Sequence, residues 1–103
     1  MKSRIVQSDG NSLRLEGEFD LANAPEVASA ISQLSGDGSV DVDLSRVTFM
    51  DTSGLHALIG GARSLDGDTS VVLVDPPSSI VRMMEIVGLT RMRQVEIRSR
   101  QDG

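Results

Sequence analysis

Residues 13–19 alternate: Leu13, Leu15, Gly17 and Phe19 point one way and Arg14, Glu16 and Glu18 the other. That is the period of a strand with one buried and one wet face. Val40, Val42 and Leu44 alternate with Asp41, Asp43 and Ser45 in the same way, predicting a second such strand over 40–45. The run from Val71 to Val74 has no polar interruption and is mostly β-branched, so it is expected to be a strand buried more deeply than its neighbours. Ile5 with Val6, and Val95 with Ile97, offer short first and last strands.

Between these segments the period lengthens. Asn23 can cap a helix that tolerates Pro25 in its first turn; Val27, Ala28, Ile31 and Leu34 form its apolar stripe, and Gly36 is expected to stop it. A second helix follows Met50-Asp51-Thr52-Ser53-Gly54, with Leu55, Leu58, Ile59, Ala62 and Leu65 on one face. Gly60 and Gly61 each weaken it by roughly 1 kcal/mol relative to Ala, a cost that points to close packing against a neighbour. The third helix begins after Pro76 and Pro77, buries Ile80, Met84 and Val87, and ends at Gly88 as a left-handed C-cap. Met83 and Met84 fall at helical spacing and are read as core filler. The order ββαβαβαβ predicts one α/β domain over 1–103, a mixed sheet of four to five strands with about three helices mainly on one face. The wet faces of strands two and three leave nothing to bury on the other side.

Composition removes whole classes of chemistry. The 103 residues contain no cysteine, which excludes disulfides, thiol nucleophiles and cysteine zinc sites. His56 is the sole histidine, and Phe19 and Phe49 are the sole aromatics, so a histidine-rich metal site and stacking platforms for single-stranded nucleic acid are absent as well. Residues 1–75 carry 12 acidic against 5 basic groups and residues 76–103 carry 3 against 5, within a net charge of −5. An acidic body repels nucleic acid and anionic membrane, and the tail with Arg91, Arg93, Arg98 and Arg100 is read as a solvated strand face and frayed end. The N-terminal stretch lacks the apolar run of a signal peptide and no run approaches a membrane span, so a cytoplasmic location is expected.

Familiar catalytic motifs fail on inspection. Asp51-Thr52-Ser53-Gly54 has one residue too many for the Asp-Thr-Gly of aspartic proteases, and no second copy supplies the paired carboxylate. Ser53 lacks the flanking glycines of a nucleophile elbow, and Gly36-Asp37-Gly38 leads into a strand, which makes it a turn. Asp41 and Asp43 share a wet strand face, where solubility is a better account than a metal. His56 and Arg63 make an exposed polar stripe. Ser53 remains: with Asp51 or Thr52 as N-cap it falls at about the first or second helical residue, outside the buried stripe. Free N–H groups and the positive end of the helix dipole make that a favourable place for a phosphate, although the same residues also suit any ordinary helix start.

The stretch Val40 to Leu65, VDVDLSRVTFMDTSGLHALIGGARSL, closely resembles the central segment of STAS domains, the family of anti-sigma factor antagonists and sulfate transporter tails. Gly17-Glu18-Phe19-Asp20 is similar to the family's G-E-[LF]-D, and Pro77 to Leu89 to its late helix, so the resemblance spans essentially the whole chain. It implies a non-enzymatic binding module without cofactor. Its partner would be an anti-sigma factor with GHKL-type serine kinase activity, which phosphorylates the serine of D-[ST]-S-G-L, here Ser53. A PP2C-type phosphatase would reverse the modification, and only the unphosphorylated form would bind and release a sigma factor. Asp20 matches the family's aspartate on the neighbouring loop. Interface candidates are Asp20, Leu21 and Asn23, then Asp51, Thr52, Ser53 and Gly54, and the exposed stripe of His56, Gly60 and Arg63. A monomer is the expected state for a domain of this size. Two other readings stand beside this one. The STAS subunit of a lipid-transport ABC complex often lacks serine at the switch, so Ser53 argues against it. A small ligand or nucleotide binder has no phosphate loop here to support it.

Overall fold

The computed structural model describes residues 3–100. Its elements run β1 (Ser3–Ser8), β2 (Ser12–Phe19), α1 (Ala24–Ser32), β3 (Ser39–Met50), α2 (Thr52–Ser64), β4 (Ser70–Val74), α3 (Ser78–Val87), a 3-10 turn (Leu89–Arg91) and β5 (Val95–Arg98). The predicted order and the mixed sheet are both present. The sheet has five strands in the order β1-β2-β3-β4-β5, with β1 antiparallel to β2 and the remaining neighbours parallel. A parallel pair needs a crossover, and crossovers are almost always right-handed. Because each of the three steps to the next strand in the same direction, the same hand places all three helices on one face. Leu13, Leu15, Val42 and Leu73 of the sheet accordingly share a single core with Val27 and Ile31 of α1, Leu55 and Leu58 of α2, and Ile80 and Met84 of α3.

Several local expectations are corrected. The second alternating strand does not end at 45: β3 continues to Met50, and its buried residues shift from Val40, Val42 and Leu44 to Val47 and Met50. Pairing explains the change of period. Arg14 lies opposite Asp43 and Glu16 opposite Arg46, then Gly17 opposite Val47 and Glu18 opposite Phe49, so β3 carries an extra residue at two places. Each such bulge reverses the phase of the alternation. The helix α1 ends at Ser32, four residues before Gly36. Tight bonds from Gln33 N to Ala30 O (3.3 Å) and Leu34 N to Ile31 O (3.0 Å) close it and swing Leu34 into the core. Gly36 serves the turn into β3 instead, where a Cβ would run into the Ser39 carbonyl. Val87 is 39% exposed, and Leu89 in the 3-10 turn takes its place in the core. Gly88 does adopt the left-handed conformation (φ 82°).

The helix-free face of the sheet is also less empty than the pattern implied. Val72 and Val74 are buried there, outside the helix-side core. Val74 is in register between Asp43 and Arg98, beneath a shallow polar depression that Arg14, Asp41 and Arg100 also line. Arg100 is not part of a frayed end. Its guanidinium reaches Asp43 Oδ2 (2.7 Å) and Asp75 Oδ2 (3.0 Å), and its amide donates to Asp75 Oδ1 (2.6 Å). Asp43, read as a solubility residue, is therefore committed to Arg100 and to the Ser45 amide (2.9 Å).

Candidate functional site

The parallel strands β2 and β3 end side by side, Phe19 opposite Met50, and the Asp51 amide donates to the Phe19 carbonyl across the gap (3.1 Å). Chain reversal at this point starts α2. Asp51 is extended and is the N-cap: its Oδ1 accepts from the amides of Ser53 (2.9 Å) and Gly54 (3.1 Å), the second and third helical residues. Ser53 is half-buried in the first turn. Gly54 is buried because the turn presses against β2: a Cβ there would lie 2.8 Å from Met50 Cγ and 3.1 Å from the Phe19 carbonyl oxygen. Each residue of Asp51-Thr52-Ser53-Gly54 thus has its own position, namely cap, exposed first residue, half-buried hydroxyl and close-packed glycine.

One electrostatic expectation changes. The start of α2 was expected to offer free N–H groups to an anion, but Asp51 already occupies two of them. A phosphate on Ser53 would meet a carboxylate competing for the same donors, with the helix dipole as the remaining attraction.

The neighbouring loop, residues 20–23, is built from its own hydrogen bonds. The Asp20 carbonyl accepts from the amides of Asn23 (3.2 Å) and Ala24 (2.9 Å), and Asp20 Oδ1 accepts from the Ala22 amide (3.0 Å). Asn23 stands at the N-cap position of α1 but does not cap it with its side chain. Its Oδ1 accepts from the Asp20 amide, and its Nδ2 donates to the Glu18 carbonyl and to Ser3 Oγ, all at 2.9 Å. With both ends of the amide bonded inside the protein, Asn23 shapes the loop more than it faces a partner. Leu21, by contrast, stands in water.

On α2, the exposed residues Thr52, His56, Gly60 and Arg63 recur at three- and four-residue spacing along one face, as expected of the polar stripe. The two adjacent glycines differ. Gly61 packs on Ile31 of α1, where a Cβ would come within 2.7 Å of Ile31 Cβ, whereas Gly60 has open space around it. Asp20, Leu21, Asp51 and Ser53 are brought together at the end of β2 and β3, while Gly60 and Arg63 lie two and three turns down α2.

Phe49, which is not among the interface candidates that the sequence offers, is half exposed next to this end. Its partner in the register is Glu18, and the next pair, Phe19 with Met50, faces the core, so Phe49 points to the helix-free side. The three-residue spacing of Leu44, Val47 and Met50 was the available signal, since it places Phe49 off the buried face.

Known proteins match this arrangement along most of its length. A family model described as "Mlab, STAS domain" matches residues 5–95. An anti-sigma-B factor antagonist of Staphylococcus aureus is 29% identical over 86 residues, covering 81% of this chain and 80% of its own. One from Staphylococcus epidermidis is 27% identical over 94 residues, covering 88% and 87%. Among solved structures, an anti-sigma factor antagonist from Mycobacterium paratuberculosis superposes with a TM-score of 0.71 at 24% identity, over 92% of this chain and 84% of that one. The unphosphorylated form of the anti-sigma factor antagonist SpoIIAA superposes with a TM-score of 0.61 at 17% identity, over 89% and 98%. At these identities the structural likeness speaks to the fold, and the family match covers nearly the whole chain: the protein belongs to the STAS domain family.

Proposed function

We propose that the chain is an anti-sigma factor antagonist, a binding module whose partner is an anti-sigma factor with GHKL-type serine kinase activity. Binding withdraws the anti-sigma factor from a sigma factor; phosphorylation of Ser53 ends the binding and a PP2C-type phosphatase restores it. The observation that carries this reading is the placement of the half-buried Ser53 in the first turn of α2, two residues after the carboxylate cap Asp51 that accepts from its amide. Relatives of nearly the same length named as anti-sigma-B factor antagonists support it.

The physical logic is one of local charge. A phosphate adds about 1.5 to 2 negative charges. Beside Asp51 and near Asp20, that charge enters a contact surface already acidic, where an unpaired anion costs several kcal/mol to desolvate. Each 1.4 kcal/mol is a factor of about ten in affinity, so one phosphate suffices to dissolve a submicromolar complex without unfolding the domain. The test is to incubate the protein with the anti-sigma factor kinase of its own genome and ATP, and to map the phosphate by mass spectrometry. Modification at Ser53 alone, and loss of binding in Ser53→Asp, are the expected results. Phosphate on another residue, or a Ser53→Asp variant that binds as tightly as the wild type, would reject the reading.

A further inference from the structure

Four large apolar side chains are exposed among the described residues: Leu21 (76%), Phe49 (50%), Ile86 (78%) and Val87 (39%). Ile86 and Val87 lie on α3, and nothing in the fold says what would cover them. Leu21 and Phe49 are different because both flank the end of the sheet that carries Ser53, Leu21 on the loop that leads into α1 and Phe49 on the helix-free side of β3. Leu21 is two residues beyond Phe19 and Phe49 two residues before Asp51, and Phe19 and Asp51 are joined by the bond between the strands (3.1 Å). At about 3.8 Å between successive Cα atoms, each anchor lies within roughly 8 Å of that bond along the chain.

Neither exposure comes from slack backbone. The loop that projects Leu21 is held by bonds at Asp20, Ala22, Asn23 and Ala24, and Phe49 sits in the paired part of β3 opposite Glu18. A rigid backbone that holds an apolar side chain in water has already lost the conformational freedom that binding would otherwise have to remove. Charge then selects the occupant. The surrounding segments 18–23 and 46–54 contain Glu18, Asp20 and Asp51 against Arg46. An anionic membrane is repelled by this surface. A symmetric second copy would set the same acids against themselves, which is costly. A different protein with apolar clefts rimmed by basic side chains is complementary on both counts.

We infer that the partner surface at Ser53 wraps over the end of the sheet, with Leu21 on the loop before α1 and Phe49 on the helix-free side as its apolar anchors, and that they enter clefts with a basic rim on the anti-sigma factor. The inference rests on the proposed function. Binding of the full chain to the purified anti-sigma factor kinase of its genome, measured by calorimetric titration, tests it. Leu21→Ser and Phe49→Ser are each expected to weaken binding about tenfold or more, with Phe49→Leu close to wild type and Ile86→Ser within about twofold as the distant apolar control. Both serine variants replace exposed side chains, and unchanged thermal melts would show that the fold is intact. If the wild type binds and both serine variants bind equally well, the anchors are wrong while the proposed function stands. If Ile86→Ser weakens binding as much, or if sedimentation shows a wild-type dimer that Phe49→Ser disperses, this surface assignment is overturned. If the wild type does not bind at all, the function and the anchors fall together.

Discussion

Asp51 is bonded three ways where β3 gives way to α2: its amide to Phe19, and its carboxylate to the amides of Ser53 and Gly54. Replacing it with Ala removes the cap and leaves two amides without that acceptor. Loss of an N-cap costs about 1 kcal/mol, so Asp51→Ala is expected to melt about 5 °C lower in a calorimetric scan. The same turn makes Gly54 hard to replace. In Gly54→Ala the new methyl meets Met50 and the Phe19 backbone, and overpacking of this kind costs about 1–3 kcal/mol, readable as a lower urea midpoint. Neither residue carries reacting chemistry. Together they fix the direction in which the Ser53 hydroxyl is presented, so a residue that looks like part of a motif acts through geometry.

At the scale of elements, α1 and α2 lie against each other, with Gly61 against Ile31 at the contact. The pair of adjacent glycines is a natural comparison. Gly60→Ala adds a methyl into open space in a helix interior and is expected to stabilise by up to about 1 kcal/mol. Gly61→Ala gains the same intrinsic preference but drives its methyl into Ile31, 2.7 Å from Cβ and 2.9 Å from Cγ2, and the overpacking of about 1–3 kcal/mol wins. Denaturant titration of the two variants should therefore show opposite signs. The rule that a costly helical glycine marks a tight contact holds for one of these neighbours and fails for the other. Which one is decided by the angular position on the helix, 100° apart for successive residues. β3 teaches the same lesson in a strand: alternation identifies it as far as Ser45, and the two bulges that carry it on to Met50 arise from pairing with β2, which alternation does not record.

Across the whole molecule, Arg100 ties the end of the chain's last described segment to β3 and to the loop after β4. For Asp43, burial alone would raise the pKa, but hydrogen bonds from the Ser45 side chain and amide and from Arg100 outweigh it, and the net shift is downward. Asp75 is lowered first by the Arg100 amide and then by its guanidinium. Carboxylates held below their unfolded value of about 3.9 stabilise the fold above that pH, and the contribution is lost as pH falls through the lower folded values. Arg100→Ala is therefore expected to melt lower than wild type at pH 6, with the difference shrinking below about pH 4. A gap that stays constant down to pH 2.5 would show that it does not come from the ionised carboxylates of Asp43 and Asp75. The pairing also alters the meaning of the charge distribution, because part of the basic excess after residue 75 neutralises acids of the body instead of facing a partner.

The sequence by itself determined the strand and helix order, an N-cap of α2 at Asp51 or Thr52, the left-handed Gly88 and the exposed stripe on α2. These depend on period and on residue types that act over three or four positions. Its Asp-Thr-Ser-Gly motif and flanking segments also carried the family resemblance. Tertiary structure alone decided the length of β3, the internal engagement of Asn23, the occupation of the α2 amides by Asp51, and the exposure of Phe49. It also joined Arg100 to Asp43 across 57 positions of chain. The physical reason is common to these cases. A side chain's periodic position fixes the face it occupies, but whether that face is covered, and by what, depends on strands and loops distant in sequence that meet only in the folded sheet.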